Sequence, residues 1–119
     1  MRLKKFENNP IISPNPDNQW ENLVTCNPGV IYADGTFYML YRAAGDEPEH
    51  TIRFGLAVRK DGFNCTRASD SPVFGPSADG PDSGCVEDPR IVRFGDEFYV
   101  TYAYRIHHPG QYWTFPHDV

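Results

Sequence analysis

The pattern of apolar and polar residues along the chain predicts short strands separated by turns. Aliphatic and aromatic residues gather in brief runs bounded by Gly, Pro, Asn and Asp, and no segment keeps helical periodicity for more than a turn or two. The predicted strands are 24–32, 37–42, 51–58, 72–74, 91–94 and 97–105, with 72–74 as an outer strand. Turn composition separates most of these runs. We therefore predict an all-β fold.

The first twenty residues do not follow this pattern. Asn9-Pro10, Ser13-Pro14 and Asn15-Pro16 each favour extended backbone before the proline and remove one hydrogen-bond donor from any strand ladder. We therefore expect residues 1–20 to form an extended arm or a wrapped loop ahead of the first strand.

An internal repeat with an offset of 61 positions groups the strands into units. Residues 27–31, Asn-Pro-Gly-Val-Ile, correspond to residues 88–92, Asp-Pro-Arg-Ile-Val. The Phe-Tyr-x-x-Tyr run at 37–41 corresponds to 98–102 without a gap. Chance similarity between two hairpins is the weaker explanation of such a match.

The repeat indicates a β-propeller. Each unit holds about four predicted strands, the number in one propeller blade, and a blade needs neighbours to bury its faces. We expect 21–84 to form a first blade and 85–119 to begin a second, so that the chain is the N-terminal part of a longer protein. A small two-sheet β domain is the alternative.

Composition agrees with a folded domain and limits its partners. The 119 residues are 39% hydrophobic and 14% aromatic, which is enough apolar material for a core. The net charge of -5 argues against nucleic acid and against an anionic membrane surface, because both need a basic face. The N-terminus shows no apolar stretch of an export signal, so we expect a cytoplasmic protein.

Cysteines and histidines predict neither a metal site nor a cofactor. Cys26, Cys65 and Cys85 are odd in number, widely spaced and without a Cys-x-x-Cys pair, so we interpret them as buried or half-buried thiols. The four histidines show no spacing typical of metal ligands.

The stretch 85–90 is the strongest candidate site. It places Glu87 and Asp88 side by side, with Arg90 close behind, and adjacent carboxylates need a cation, solvent or a polar ligand to compensate them. The alternative is a surface turn in which the acids cap the backbone and Arg90 pairs with one of them. The repeat favours a site, because it places Asn27 and Asp88 at equivalent positions of successive blades, where both side chains can bind a ligand hydroxyl.

Two other sets of residues have competing interpretations. Arg42 ends an aromatic strand, where arginine usually extends to the surface with its stem packed on apolar neighbours. The tyrosines of the two Phe-Tyr-x-x-Tyr strands are expected to be mostly core, although some are suited to stacking on a sugar. These tyrosines are Tyr38, Tyr41, Tyr99, Tyr102 and Tyr104.

Six motifs together resemble the N-terminal half of glycoside hydrolase family 130. They are Asn9-Pro10-Ile11-Ile12, Asn27-Pro28-Gly29-Val30, Phe37-Tyr38-Met39-Leu40-Tyr41-Arg42-Ala43, Phe54-Gly55-Leu56-Ala57, Pro72-Val73-Phe74 and Cys85-Val86-Glu87-Asp88-Pro89-Arg90-Ile91. The resemblance covers almost the whole chain. It implies a five-bladed β-propeller, of which this chain supplies about the first two blades, and an enzyme that acts on β-mannosides.

The resemblance also implies roles for single residues. Asp88 takes the position of the family's catalytic acid, and Asn27 and Arg42 take the positions that bind the mannose at the cleaved bond. Arg90 is expected only in the wall of the site. The expected reaction is inverting phosphorolysis to mannose 1-phosphate, with a β-mannoside oligosaccharide and inorganic phosphate as substrates and no cofactor. The phosphate-binding residues are expected beyond residue 119.

Two alternatives stay open at this point. One is an inverting β-mannoside hydrolase on the same fold, in which a carboxylate base activates water. The other is a non-catalytic carbohydrate-binding β module, if the chain is complete at 119 residues. A homo-oligomer is compatible with each of them.

Overall fold

The computed structural model describes residues 2–61 and 63–111 and is all-β, as predicted. The strands are β1 (Val24–Ala33), β2 (Thr36–Ala44), β3 (Arg53–Arg59), β4 (Thr66–Arg67), β5 (Cys85–Phe94) and β6 (Glu97–Arg105), followed by a 3-10 turn at Pro109–Gln111. One antiparallel sheet has the order β1-β2-β3-β4, and a second pairs β5 with β6. The end of the predicted second unit, 112–119, lies outside the described residues. No helix in the described part is long and apolar enough to cross a membrane.

Both hairpins of the repeat turn over two residues. Asp34 and Gly35 have φ angles of 51° and 77°, and two positive φ angles are the signature of a type I′ turn. In the second hairpin Gly95 comes first, with φ of 61°, which fits a type II′ turn. Both types match the twist of the flanking strands, so the turns fix the register of each hairpin.

Each hairpin also contains a β-bulge at the same place in the repeat. The ladder shifts register between Cys26 and Gly29 in the first sheet and between Glu87 and Arg90 in the second. The bulges allow pairing to continue beyond the Asn-Pro and Asp-Pro steps, so β5 begins at Cys85 and not at the predicted residue 91.

The arm before β1 packs on one face of the first sheet. Ile11, Ile12 and Trp20 contact a buried cluster that includes Met39 and Tyr41. The neighbouring residue Glu21 is fully buried and accepts hydrogen bonds from the Tyr41 hydroxyl (2.9 Å) and from Arg67 Nε (2.9 Å). These contacts attach the arm to the sheet.

The opposite face of the first sheet faces the second sheet. The two sheets line an apolar cleft of about 310 Å³, to which β1, β2 and β3 contribute Ile31, Leu40 and Leu56 and the second sheet contributes Ile91, Phe98 and Val100. The sheets approach each other closely at the two bulges. A Cβ atom on Gly29 would lie 2.5 Å from the Pro89 carbonyl oxygen, so only glycine allows this approach.

Two predictions from the sequence are wrong. Residues 72–74 are not the outer strand, because Thr66–Arg67 pairs with β3 while Phe74 forms only an isolated bridge to Phe54. Pro72 lacks a backbone N–H, and this limits the ladder that the segment can form. The tyrosines are not mostly core: Tyr41 is buried, but three of the five are exposed, because every residue of β6 is exposed. These three are Tyr99, Tyr102 and Tyr104.

Candidate active site

Asn27 and Asp88 meet where the two sheets come together. The Asn27 side chain donates a hydrogen bond from Nδ2 to Asp88 Oδ1 at 2.9 Å. Both residues sit in the bulges with left-handed backbone, at φ angles of 44° and 51°. Asn and Asp adopt this conformation more readily than other non-glycine residues. The two residues that the repeat places at equivalent positions are therefore in direct contact.

Arg42 brings a positive charge to this contact from β2. Its Nη1 atom lies 3.1 Å from Asp88 Oδ1 and 3.3 Å from Glu87 Oε2. The side chain is 19% exposed, and it reaches across the junction of the sheets instead of extending into solvent. One guanidinium nitrogen is thus shared by the two adjacent carboxylates.

Glu87 is a buried charge held by two arginines. It is 7% exposed, and besides Arg42 it binds Arg105, whose Nε lies 2.9 Å from Glu87 Oε1. The Cys85 thiol points to the same oxygen at 3.5 Å. Burial, assisted by the neighbouring Glu87 charge, raises the pKa of Cys85 to about 12, so this thiol stays protonated.

Arg105 is the site residue that sequence reasoning missed. It is the register partner of Cys85 in the second hairpin. Counting back from the two-residue turn at Gly95-Asp96 finds this pairing only if the bulge is included. The repeat gives no signal for this residue, because position 105 corresponds to Ala44 in the first unit (105 - 61 = 44).

The surroundings of Asp88 stabilise its ionised form. The Asn27 hydrogen bond is the largest cause of a lowered Asp88 pKa, and the hydrogen bond and charge of Arg42 and the charge of Arg90 act in the same direction against burial. Both side-chain hydrogen bonds end on Oδ1. Within the described part of the chain, Oδ2 accepts none, and this oxygen is the one available to a ligand.

Arg90 lies beside the site without joining its hydrogen bonds. Its side chain is exposed, and Nη1 donates to the carbonyl oxygen of Pro89 at 2.8 Å. The structure therefore brings together Asn27, Arg42 and Asp88 and leaves Arg90 as a nearby charge. Residues 2–61 and 63–111 contain no group of three or more His, Cys, Asp or Glu side chains suited to a metal ion.

This arrangement defines a class of protein. A carboxylate with one free oxygen, flanked by an amide and a guanidinium in an all-β scaffold, is suited to binding a hydroxyl-rich ligand and exchanging a proton with it. The geometry is therefore suited to a sugar ligand.

Comparison with known proteins identifies the family. A protein-family model described as beta-1,4-mannooligosaccharide phosphorylase, glycoside hydrolase family 130, matches residues 2–114. The chain belongs to this family.

Two curated relatives come from Thermoanaerobacter sp. (strain X514). A 1,2-beta-oligomannan phosphorylase is 35% identical over 108 residues, which cover 87% of this chain and 36% of the relative. A beta-1,2-mannobiose phosphorylase is 35% identical over 113 residues, covering 86% of this chain and 37% of the relative. The chain thus spans little more than a third of the length of either relative.

Solved structures are also similar. A glycosyl hydrolase from Bacteroides ovatus superposes with a TM-score of 0.75 and 29% identity, over 89% of this chain and 35% of that one. A structure from work on GH130 glycoside hydrolases that target beta-1,2 mannosidic linkages in Candida mannan gives a TM-score of 0.72 and 29% identity, over 85% of this chain and 34% of that one.

Proposed function

We propose that this chain is the N-terminal part of a five-bladed β-propeller enzyme that cleaves β-mannosides by inverting phosphorolysis. The observation that carries the proposal is the corner in which Asn27 and Arg42 hold Asp88 by one carboxylate oxygen. The two curated relatives are named as phosphorylases of β-1,2-linked mannosides, which supports phosphate as co-substrate. The products are mannose 1-phosphate and a shortened acceptor.

The proposed reaction assigns one role to each of the three residues. Phosphate attacks the anomeric carbon as the glycosidic C–O bond breaks on the opposite face, and Asp88 supplies the proton that the leaving oxygen takes up, through a sugar hydroxyl. Asn27 and Arg42 bind hydroxyl groups of the mannose at the cleaved bond. Phosphate is held by side chains outside this chain, because a dianion needs several charge-assisted donors.

Substrate binding also provides a route to the protonated acid. The ligand-free corner favours the Asp88 carboxylate, whereas a proton donor must be protonated. A sugar that takes hydrogen bonds from Asn27 and Arg42 removes the two largest causes of the lowered pKa, and it excludes water as well. Binding of the mannoside therefore raises the pKa of the acid that cleaves it.

The test of this function is the release of mannose 1-phosphate. The full-length protein is incubated with β-1,2- and β-1,4-mannobiose, with and without inorganic phosphate. We expect phosphate-dependent mannose 1-phosphate, and we expect Asp88→Asn to reduce turnover at least about a hundredfold, the usual scale of general-acid catalysis, while mannoside binding remains measurable.

Asp79→Asn serves as the matched control, because Asp79 is exposed in the loop before β5 and lies outside the site. It is expected to retain wild-type turnover. Wild-type turnover in Asp88→Asn would remove Asp88 from the mechanism.

A β-mannoside hydrolase is the second candidate. The similar solved structure from work on GH130 hydrolases of β-1,2 mannosidic linkages favours it. Free mannose released at the same rate with or without phosphate would establish hydrolysis and exclude the phosphorylase. Asp88 would keep its role as acid, with water as the nucleophile.

A further inference from the structure

The adjacent acid Glu87 has a distinct place in this site. Its carboxylate is buried and bridges two strands of different sheets, through Arg42 on β2 and Arg105 on β6. A buried carboxylate requires such compensation, but Arg105 alone is at 2.9 Å and already provides one full charge. Glu87 nevertheless also contacts Arg42, and Arg42 binds Asp88. A change of charge at Glu87 is therefore expected to affect Asp88.

Arg42 is divided between two carboxylates through one nitrogen. Its Nη1 atom is 3.1 Å from Asp88 Oδ1 and 3.3 Å from Glu87 Oε2, so the acids compete for the same positive charge. Glu87 pulls Nη1 away from Asp88 Oδ1 and places a second negative charge beside Asp88, and both effects oppose the stabilisation of the Asp88 carboxylate by Arg42. Arg105 controls this competition, because it neutralises Glu87 from the other side.

We propose that Glu87 is a positioning residue that sets the proton affinity of Asp88 by holding the Arg42 guanidinium and opposing its positive potential at Asp88. This inference rests on the proposed role of Asp88 as the proton donor. Glu87 itself touches no reacting atom. It acts through Arg42, and Arg105 limits its effect.

Apart from Glu87, Arg42 and Arg105, the described groups that face Asp88 do not change their charge in this response. The groups around it are Cys26 on β1, Arg42 on β2, Cys85, Glu87 and Arg90 on β5, and Arg105 on β6. Burial raises the pKa of the Cys26 thiol, and burial likewise raises that of Cys85, so both are neutral in the range where a carboxyl titrates. Arg90 keeps a constant charge and binds its own chain at the Pro89 carbonyl.

Two substitutions are expected to shift the pKa of Asp88 in opposite directions. Glu87→Gln keeps the shape of the side chain and removes its charge. The charge that opposes the positive potential of Arg42 at Asp88 is then absent, so Asp88 titrates at lower pH. Arg105→Met keeps an aliphatic stem and leaves Glu87 less neutralised, so Glu87 holds Arg42 more strongly and Asp88 titrates at higher pH. A purely structural role of Glu87 gives no reason for opposite signs.

The experiment measures the titration of the Asp88 side chain in the full-length protein. The carboxyl carbon is followed by NMR in protein labelled with ¹³C at aspartate Cγ, and its resonance is identified by its absence in Asp88→Asn. Glu97→Gln is the control, because Glu97 is exposed at the far end of the same sheet. For the same variants, kcat is also measured as a function of pH, to locate the pH at which it falls on the alkaline side.

The pKa of Asp88 is expected to fall in Glu87→Gln, to rise in Arg105→Met and to stay unchanged in Glu97→Gln. A neighbouring charge typically changes a protonation equilibrium about tenfold, so kcat of Glu87→Gln on the alkaline side is expected to fall roughly tenfold, with a smaller change in KM. Shifts of the same sign in both variants, or none beyond the control, would overturn the proposal. Opposite shifts in a protein that cleaves no mannoside would support the role of Glu87 and refute the proposed function.

Discussion

At the scale of single residues, the ligand-free site favours the ionised form of Asp88, whereas the proposed reaction needs the protonated form. Asn27 and Arg42 both hydrogen bond to Asp88 Oδ1, and together they lower the pKa of Asp88 in the absence of ligand. These are the same side chains that we propose as sugar contacts. Proton affinity and sugar binding are therefore linked through shared hydrogen bonds.

This linkage predicts that mannoside binding takes up a proton. At a pH above the ligand-free pKa of Asp88 and below its value in the complex, the carboxylate gains a proton when the sugar binds. Calorimetric titrations in buffers of different ionisation enthalpy measure this uptake directly. The Asp88→Asn variant is expected to bind the sugar without taking up a proton. The Asp79→Asn variant is expected to take up the proton as the wild-type protein does. Equal binding enthalpies of the wild-type protein in all buffers across the acidic range would contradict the linkage.

The residues of the site differ in how far the sequence predicts them. Asn27 and Asp88 follow from the repeat, because equivalent positions of two hairpins can be aligned without a structure. Arg42 followed from family resemblance, since arginine at the end of an aromatic strand is more often on the surface. The pairing of Glu87 with Arg105 was not predictable, because it depends on a change of register at the bulge.

At the scale of elements, the two bulges form the site and also join the sheets. Each bulge turns its central polar residue out of the ladder, and the left-handed backbone at both positions directs Asn27 and Asp88 towards each other. The strands β1 and β5 come together at the same point, with Gly29 against the Pro89 carbonyl. The position of the acid therefore depends on the packing between sheets.

The substitution Gly29→Ala tests this dependence. The added methyl group would meet the Pro89 carbonyl oxygen at 2.5 Å, so the sheets must separate locally. We expect the free energy of unfolding to fall by about 1–3 kcal/mol, as in other overpacked sites, and mannoside turnover to fall as well. Chemical denaturation and the mannose 1-phosphate assay measure the two effects.

Gly75→Ala is the control for this substitution. A methyl group there would lie 3.6 Å from the nearest atom, the Arg53 side chain, which is an ordinary contact. Stability and turnover are expected to be close to those of the wild-type protein. If Gly29→Ala were as harmless as Gly75→Ala, close packing of the bulges would not determine the geometry of the site.

The strands of the two hairpins were predicted better than the outer edge of the first sheet. Both hairpins and their two-residue turns follow from the sequence, because alternating apolar runs and Asp-Gly or Gly-Asp pairs carry strong local signals. The outer edge of the first sheet did not follow, since Thr66–Arg67 is too short and polar to be distinguished from a loop. Its pairing with β3 is a tertiary contact with no local signal.

At the scale of the whole molecule, the second sheet is half covered. One of its faces lines the cleft against the first sheet, and the opposite face presents Val92, Phe94 and Tyr99, which are 42%, 65% and 48% exposed. Phe94 and Tyr99 pack edge to face at 5.6 Å and form a continuous apolar patch. In the five-bladed propeller that we propose, the next blade covers this patch.

A lysine in this patch is expected to have opposite effects in the short chain and in the full-length protein. In the 119-residue chain, Tyr99→Lys breaks up an exposed apolar surface and is expected to reduce self-association in sedimentation velocity. In the full-length protein the same lysine is buried between blades without a partner, so the thermal midpoint is expected to fall by several degrees. Ala78→Lys adds the same side chain in an exposed loop and is expected to change neither measurement appreciably. An unchanged midpoint for full-length Tyr99→Lys would show that no further blade covers this face and would contradict the proposed architecture.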